Sequence, residues 1–303
     1  MSDIWSDEYW AAKGDVRLFV YRKRLGQPVP GEESRPVVFL VHGSSFASPS
    51  AFDLSVPGHD DYSLMDRLAS QGYDVWTMDN EGYGRSDRRP DSNSDISCGA
   101  DDLRAAADVV AAETGSTRYS FYGQSSGALK LGLFAERHPS WIDKLILDAF
   151  PWTGEGAPTL IKRRENLDYY RTHNTRPVDR EFFHSIFTRD KSGTSDPAVG
   201  DIIADIELQH GDTVPTGTYL DMCANLPVID PTQIDCPTLI LRGEFDGVAT
   251  EEDVLAFFSA LPNPDRQLAI MAGMAHVAPL GLNRHRFWHL IESFLATPPR
   301  VDV

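Results

Sequence analysis

The run Pro36-Val37-Val38-Phe39-Leu40-Val41 contains no polar residue and does not alternate. A strand of this kind is covered on both faces, as in a parallel sheet sandwiched between helices. Further strands are expected at 16–21, 73–79, 119–122, 142–150, 236–242 and 267–271. Helical patterns alternate with them. One covers 63–71, with Ser63 as N-cap and Gly72 closing it; another covers 101–113, where Leu103, Ala106, Ala107 and Val110 form a stripe that stops at Gly115. Three more cover 126–137, 251–261 opened by Thr250, and 286–296, whose Phe287, Leu290, Ile291, Phe294 and Leu295 share a face. This rhythm predicts an α/β fold: a mostly parallel central sheet with right-handed crossovers, flanked by helices.

The rhythm stops between 151 and 227, a polar and aromatic stretch with helix-prone pieces and no buried strand. A helical cap over the carboxyl edge of the sheet fits this stretch better than a structureless loop of that length. The expected organisation is a core built from 1–150 and 228–303 and a cap built from 151–227.

Charge narrows the partners. Against 28 Lys and Arg stand 45 Asp and Glu, a formal charge of −17. That field repels phosphate backbones and argues against nucleic acid. It does not exclude an anionic small molecule, because a local cluster such as Lys162-Arg163-Arg164 can reverse the sign inside one pocket. No apolar run is long enough for a membrane span. The first residues lack the basic and apolar regions of a secretory signal, and the three cysteines, Cys98, Cys223 and Cys236, form no paired motif. The expectation is a cytoplasmic protein with reduced thiols. Its oligomeric state is not legible.

The strand at 119–122 runs into Phe121-Tyr-Gly-Gln-Ser-Ser-Gly127. A GxSxG pattern occurs by chance in roughly one chain in ten of this length, so its context decides. Here a strand precedes it and a small-residue helix follows. A sharp strand-to-helix turn strains the central residue and lifts its hydroxyl above the sheet edge, which makes Ser125 the candidate nucleophile. A serine hydroxyl needs a base within hydrogen-bond reach. Among nine histidines, His276 follows the last expected strand, where loops converge on the same edge. His42 is expected to hydrogen-bond locally. His285 and His289, four apart on the last helix, lack a third ligand at matching spacing and are read as packing or solvation. The base in turn needs a carboxylate to orient it. Asp246, after the penultimate strand, is the expected acid; Asp148 is the alternative, and Glu244 is expected to be a supporting or surface group. Acyl transfer also needs donors for the developing oxyanion. The backbone N–H groups of Ser126 and Ser44, or Ser45 in place of Ser44, are well placed.

Taken together, His42-Gly43, Asp79 with Gly82-Tyr-Gly-Arg-Ser86, Gly123–Gly127, Gly243-Glu-Phe-Asp246 and His276 resemble the α/β-hydrolase superfamily, in its cap-bearing branch. The resemblance covers nearly the whole chain outside the cap, and the order Ser, Asp, His is the one that scaffold uses. Relatives often carry Arg where this chain has Glu81, so a salt bridge there is expected to be absent or reversed. The resemblance implies a Ser-His-Asp hydrolase that needs neither metal nor cofactor. It leaves the substrate open, because the scaffold hosts many chemistries. Ser125 stands where dehalogenases and epoxide hydrolases place Asp, and no GxGxxG supports a nucleotide.

The expected function is hydrolysis of carboxylic esters of small molecules through an acyl-enzyme. A lactonase or C–C bond hydrolase on the same triad is the alternative, and a non-catalytic ligand-binding relative the reading from another class. Substrate choice is expected to lie in the cap. Trp152, Tyr169, Tyr170, Phe182, Phe183, Phe187 and Tyr219 are candidates for a pocket, although most are expected to glue cap to core. Lys162, Arg163 and Arg164 are read as a solvated helix face, with recognition of a substrate carboxylate as the other reading.

Overall fold

A computed structural model describes residues 3–301. Its strands are β1 (Ile4–Lys13), β2 (Val16–Leu25), β3 (Val37–Val41), β4 (Asp74–Met78), β5 (Tyr119–Gln124), β6 (Ile142–Asp148), β7 (Thr175–Pro177), β8 (Thr213–Pro215), β9 (Thr238–Gly243) and β10 (Arg266–Met271). Eight of them form one sheet in the order β1-β2-β4-β3-β5-β6-β9-β10. From β4 to β10 all neighbours are parallel, whereas β2 pairs antiparallel with both β1 and β4. The all-apolar run forms β3 at the sheet centre. Its Val37, Phe39 and Val41 enter one apolar layer, and its Val38 and Leu40 enter the other.

Helices cover both faces. On one side pack α3 (Ile96–Thr114), α4 (Ser126–Arg137) and α10 (Glu251–Ala260), and on the other α1 (Ser48–Phe52), α2 (Leu64–Ser70) and α11 (Arg284–Leu295). Two expected caps are present: Ser63 accepts from Asp66 N–H and Thr250 from Asp253 N–H. Gly115 ends α3 in the left-handed region at φ 72°.

Three elements depart from the sequence reading. Strand β1 was not expected; it pairs along its full length with β2. Helix α3 starts at Ile96 rather than 101, because Asp95 caps it by accepting from Cys98 N–H. Between β6 and β9 the chain carries α5 (Pro158–Arg164), α6 (Leu167–Thr172), α7 (Arg180–Thr188), α8 (Pro197–Glu207) and α9 (Gly217–Ala224). It also holds the antiparallel pair β7–β8, each three residues long, where no buried strand was anticipated. Among the described residues, no helix is long and apolar enough to cross a membrane. All three cysteines are free thiols.

Candidate active site

Strand β5 ends at Gln124 and α4 begins at Ser126, so Ser125 alone makes the turn. Its backbone sits at φ 56°, ψ −124°, a conformation that costs free energy for a residue with a side chain and persists only when the surroundings impose it. Two glycines let the surroundings close in. A Cβ on Gly127 would lie 2.3 Å from the Val41 carbonyl oxygen, and one on Gly123 would lie 2.7 Å from the Gly127 carbonyl oxygen. Helix α4 can therefore start directly against the end of β3. The Ser125 N–H donates to Asp148 O at 2.8 Å, which ties the turn to β6.

His276 and Asp246 arrive from loops after β10 and β9. Ser125 Oγ lies 3.1 Å from His276 Nε2, and His276 Nδ1 lies 2.9 Å from Asp246 Oδ1. All three residues are buried. The same Asp246 oxygen accepts from Val248 N–H at 2.8 Å and Ala249 N–H at 3.3 Å. Burial pushes the Asp246 carboxyl up, but His276 and these donors outweigh it and hold the carboxyl below its ordinary range. An ionised Asp246 fixes the His276 proton on Nδ1 and leaves Nε2 free to accept. Among the described residues, no hydrogen bond or ion pair joins Asp148 to His276. The Asp148 carboxyl accepts from the Tyr122 hydroxyl at 2.8 Å, and burial, reinforced by the charge of Asp246, pushes it well above the ordinary carboxylate range. The two neighbouring buried carboxyls are thus pushed in opposite directions.

Ser44 and Ser126 meet directly: Ser44 Oγ donates to Ser126 Oγ at 2.6 Å and accepts from Thr218 Oγ1 at 2.9 Å. The Ser44 carbonyl accepts from Tyr83 Oη at 3.1 Å and from Arg176 at 2.9 Å. His42 supports this loop. Burial, with the nearby Lys130 charge, pushes its imidazole well below the ordinary value. The neutral ring donates from Nδ1 to Gly43 O and accepts from Asn80 N–H at Nε2.

Several polar groups have other tasks. Glu244 accepts from Gly273 N–H, and His285 pairs with Asp61 at 2.8 Å. Glu81 reverses the polarity expected from relatives: fully buried, it binds Arg89 at 2.9 Å and Lys13 at 2.8 Å. Burial opposes its charge, yet these cations bring its carboxyl down to about 2. Ligand atoms of Glu81, Cys98 and Asp102 cluster within 4.8 Å of one another. The Lys13 ammonium bonds all three and supplies the cation that such a cluster calls for.

The segment between β6 and β9 lies against this centre. Arg163 and Arg189 border a small chamber of about 20 Å³ that Ser125 and His276 also line. Tyr170, Phe182 and Tyr219, with Lys162 and the same two arginines, line an adjoining cavity of about 920 Å³. The remaining aromatics pack: Trp152 against Phe257, Tyr169 on His173, Phe187 on Phe46, and Phe183 in the core. The expectation of a solvated face over 162–164 is corrected for two residues. Arg163 is half-buried and turned into the site, and Arg164 donates to Cys223 O at 3.1 Å. Arg176 and Arg189 were not singled out by the sequence, where each is an isolated cation without a motif.

Residues 60–279 match the protein family described as serine aminopeptidase, S33. Among curated proteins none matches the chain by sequence. Solved structures share its fold. A thermophilic esterase from Thermogutta terrifontis has 18% identity and a TM-score of 0.68, over 96% of this chain and 98% of the other. An enol-lactonase from Burkholderia xenovorans has 17% identity and a TM-score of 0.66, over 95% and 100%. E-2-(acetamidomethylene)succinate hydrolase has 16% identity and a TM-score of 0.70, over 97% and 100%. At such identities the likeness is one of fold.

Proposed function

The chain belongs to the serine aminopeptidase S33 family of α/β-hydrolases, and we propose that within it this hydrolase cleaves carboxylic esters of small molecules through an acyl-enzyme. The observation that carries this reading is the hydrogen-bonded chain from Ser125 Oγ through His276 to Asp246, at 3.1 and 2.9 Å.

In the first half-reaction His276 Nε2 takes the Ser125 proton as Oγ attacks the acyl carbon. The carbonyl π pair moves to oxygen, and the N–H groups of Ser126 and Ser44 hold that oxyanion. Collapse expels the alkoxide, which takes the proton from His276 and leaves as the alcohol. In the second half-reaction His276 removes a proton from water, hydroxide adds to the acyl carbon, and Ser125 Oγ leaves with the proton as the acid is released. Asp246 stays ionised throughout and stabilises the imidazolium. The segment between β6 and β9 acts as the cap, its Tyr170, Phe182 and Tyr219 shaping the acyl pocket.

Two features support the oxyanion assignment. Ser126 opens α4, where the first N–H groups have no partner within the helix. The Ser44–Ser126 side-chain bond holds the two donor segments in register. Replacing Ser125 with Ala is expected to lower kcat on p-nitrophenyl butyrate by about 10³-fold or more, with the melting temperature unchanged within a few degrees. Near-normal turnover by that variant overturns the proposal.

A further inference from the structure

Every ordinarily charged side chain bordering the chamber, His276 apart, is an arginine: Arg163 or Arg189. A third, Arg176, lies behind them, only 5% exposed. Arg163 and Arg176 converge on one phenol. Arg176 Cζ is 3.9 Å and Arg163 Cζ 4.0 Å from the Tyr219 ring centroid. Burial would raise that phenol, but Arg163, Arg176 and Arg189 together bring it down to about 8.

These charges are poorly matched. Among the described residues no carboxylate pairs with Arg163 or Arg176; Arg189 Nε lies 3.4 Å from Asp190 Oδ1 but is not aligned for a hydrogen bond. Among the described residues, the buried Nε atoms of Arg176 and Arg189 have no hydrogen-bond partner. The same holds for Nε2 of Gln124, a buried residue that lines the chamber. Buried donors left in this state cost free energy that an acceptor recovers. The protein as a whole carries −17, so this cluster of poorly matched guanidiniums beside one serine is not an extension of its surface charge.

Arg163 and Arg189 are also the two residues that line both the chamber and the larger cavity. Five acidic residues line the cavity only: Glu244, Asp246, Glu251, Glu252 and Asp190, the last being the neighbour of Arg189. A group approaching Ser125 from the cavity therefore passes the two guanidiniums. The geometry points to a carboxylate-binding subsite formed by Arg163 and Arg189, with Arg176 behind it, so that the preferred ester carries a free carboxylate on its acyl side. The substrate class is the half-ester of a dicarboxylic acid. Its carboxylate lies against the arginines on the cavity side, while the ester carbonyl a few bonds away occupies the chamber. Planar guanidinium recognises carboxylate in paired hydrogen bonds, which fixes orientation as well as affinity. This inference rests on the ester-hydrolase reading for its chemistry, not for its anion site.

The test compares monomethyl succinate, glutarate and adipate with methyl esters of branched acids in which two methyl groups replace the carboxylate oxygens. At least one half-ester is expected to exceed its neutral match in kcat/KM by ten-fold or more. Arg163→Gln and Arg189→Gln should each lower that ratio by about ten-fold, and Arg163→Lys should restore part of it. A wild-type ratio below three throughout the series, or a ratio unmoved in folded variants, overturns the inference. Calorimetry with glutarate on the wild-type protein gives a second readout. Saturable binding that weakens with salt is expected, and its absence contradicts the subsite. If no ester is cleaved and a fluorophosphonate leaves Ser125 unlabelled, the hydrolase reading fails, and glutarate binding to wild type against Arg163→Gln still decides the subsite.

Discussion

Ser125 is held at φ 56° by three contacts: its N–H on Asp148 O, Gly123 below it, and Gly127 pressed on the end of β3. The strain is stored because α4 and β3 cannot separate without losing buried packing. Replacing Gly127 with Ala puts a methyl group 2.3 Å from a backbone oxygen that has nowhere to go. We expect a loss of about 3 kcal/mol or more by urea melts, together with loss of ester turnover; a stability change under 1 kcal/mol contradicts this account of the turn. Asp246→Asn tests the other end of the chain. An amide at 246 offers His276 Nδ1 a donor as readily as an acceptor, so the wrong tautomer becomes populated. By analogy with other serine triads kcat should fall about 10³–10⁴-fold with little change in KM; a loss below ten-fold would show that Asp246 does not orient the base. At this scale the sequence was most informative about residues tied to backbone geometry. Ser125, His276 and Asp246 each end a strand or follow one, so their meeting is written into element order. The arginines around Tyr219 were not legible in the same way, because what brings Arg163, Arg176 and Arg189 together is the packing of α5, β7 and α7.

Helix α8 ends on Glu207, a buried carboxylate that joins the segment between β6 and β9 to the core. Its Oε1 accepts from Ala47 N–H at 3.1 Å and Ser50 Oγ at 2.6 Å. Burial pushes its carboxyl up to about 7; Asp79 adds to the rise, while Ser50, Ala47 and Arg88 oppose it. The sign follows from proton uptake. The folded state holds a proton that an unfolded Glu releases near its ordinary value, so stability from this group is complete below that value and declines as pH rises through about 7. Glu207→Gln keeps the acceptor and removes the titration. The variant should gain on the wild type between pH 5 and pH 8, by up to about 3 kcal/mol in urea melts. A gap that shrinks with rising pH contradicts the assignment. Elements were unevenly legible in the sequence. Strand β3 announces itself because burial on both faces makes it uniformly apolar, and β4 to β6, β9 and β10 each keep a short apolar or aromatic run between turn residues. Strand β1, IWSDEYWAAK, lies at the sheet edge, is exposed or half-buried along most of its length, and carries Asp and Glu that hide its extended form. The three-residue β7 and β8 are too short for any periodicity to register.

The whole molecule combines a strongly acidic composition, a two-layered core and a cationic chamber beside Ser125. The fold was legible because strand and helix alternate along the sequence, and a parallel sheet with its glycine-rich turns leaves few other topologies open. What stayed hidden was specificity, since side chains from separated helices meet only after the chain closes over the sheet edge. The central claim is that one hydroxyl among many is activated, and the direct measurement is labelling of the intact protein with a fluorophosphonate followed by mass mapping. The account predicts a single stoichiometric adduct, carried by Ser125, absent in Ser125→Ala and slowed about 10²-fold or more in His276→Ala. No adduct, or an adduct on a different serine, would contradict it.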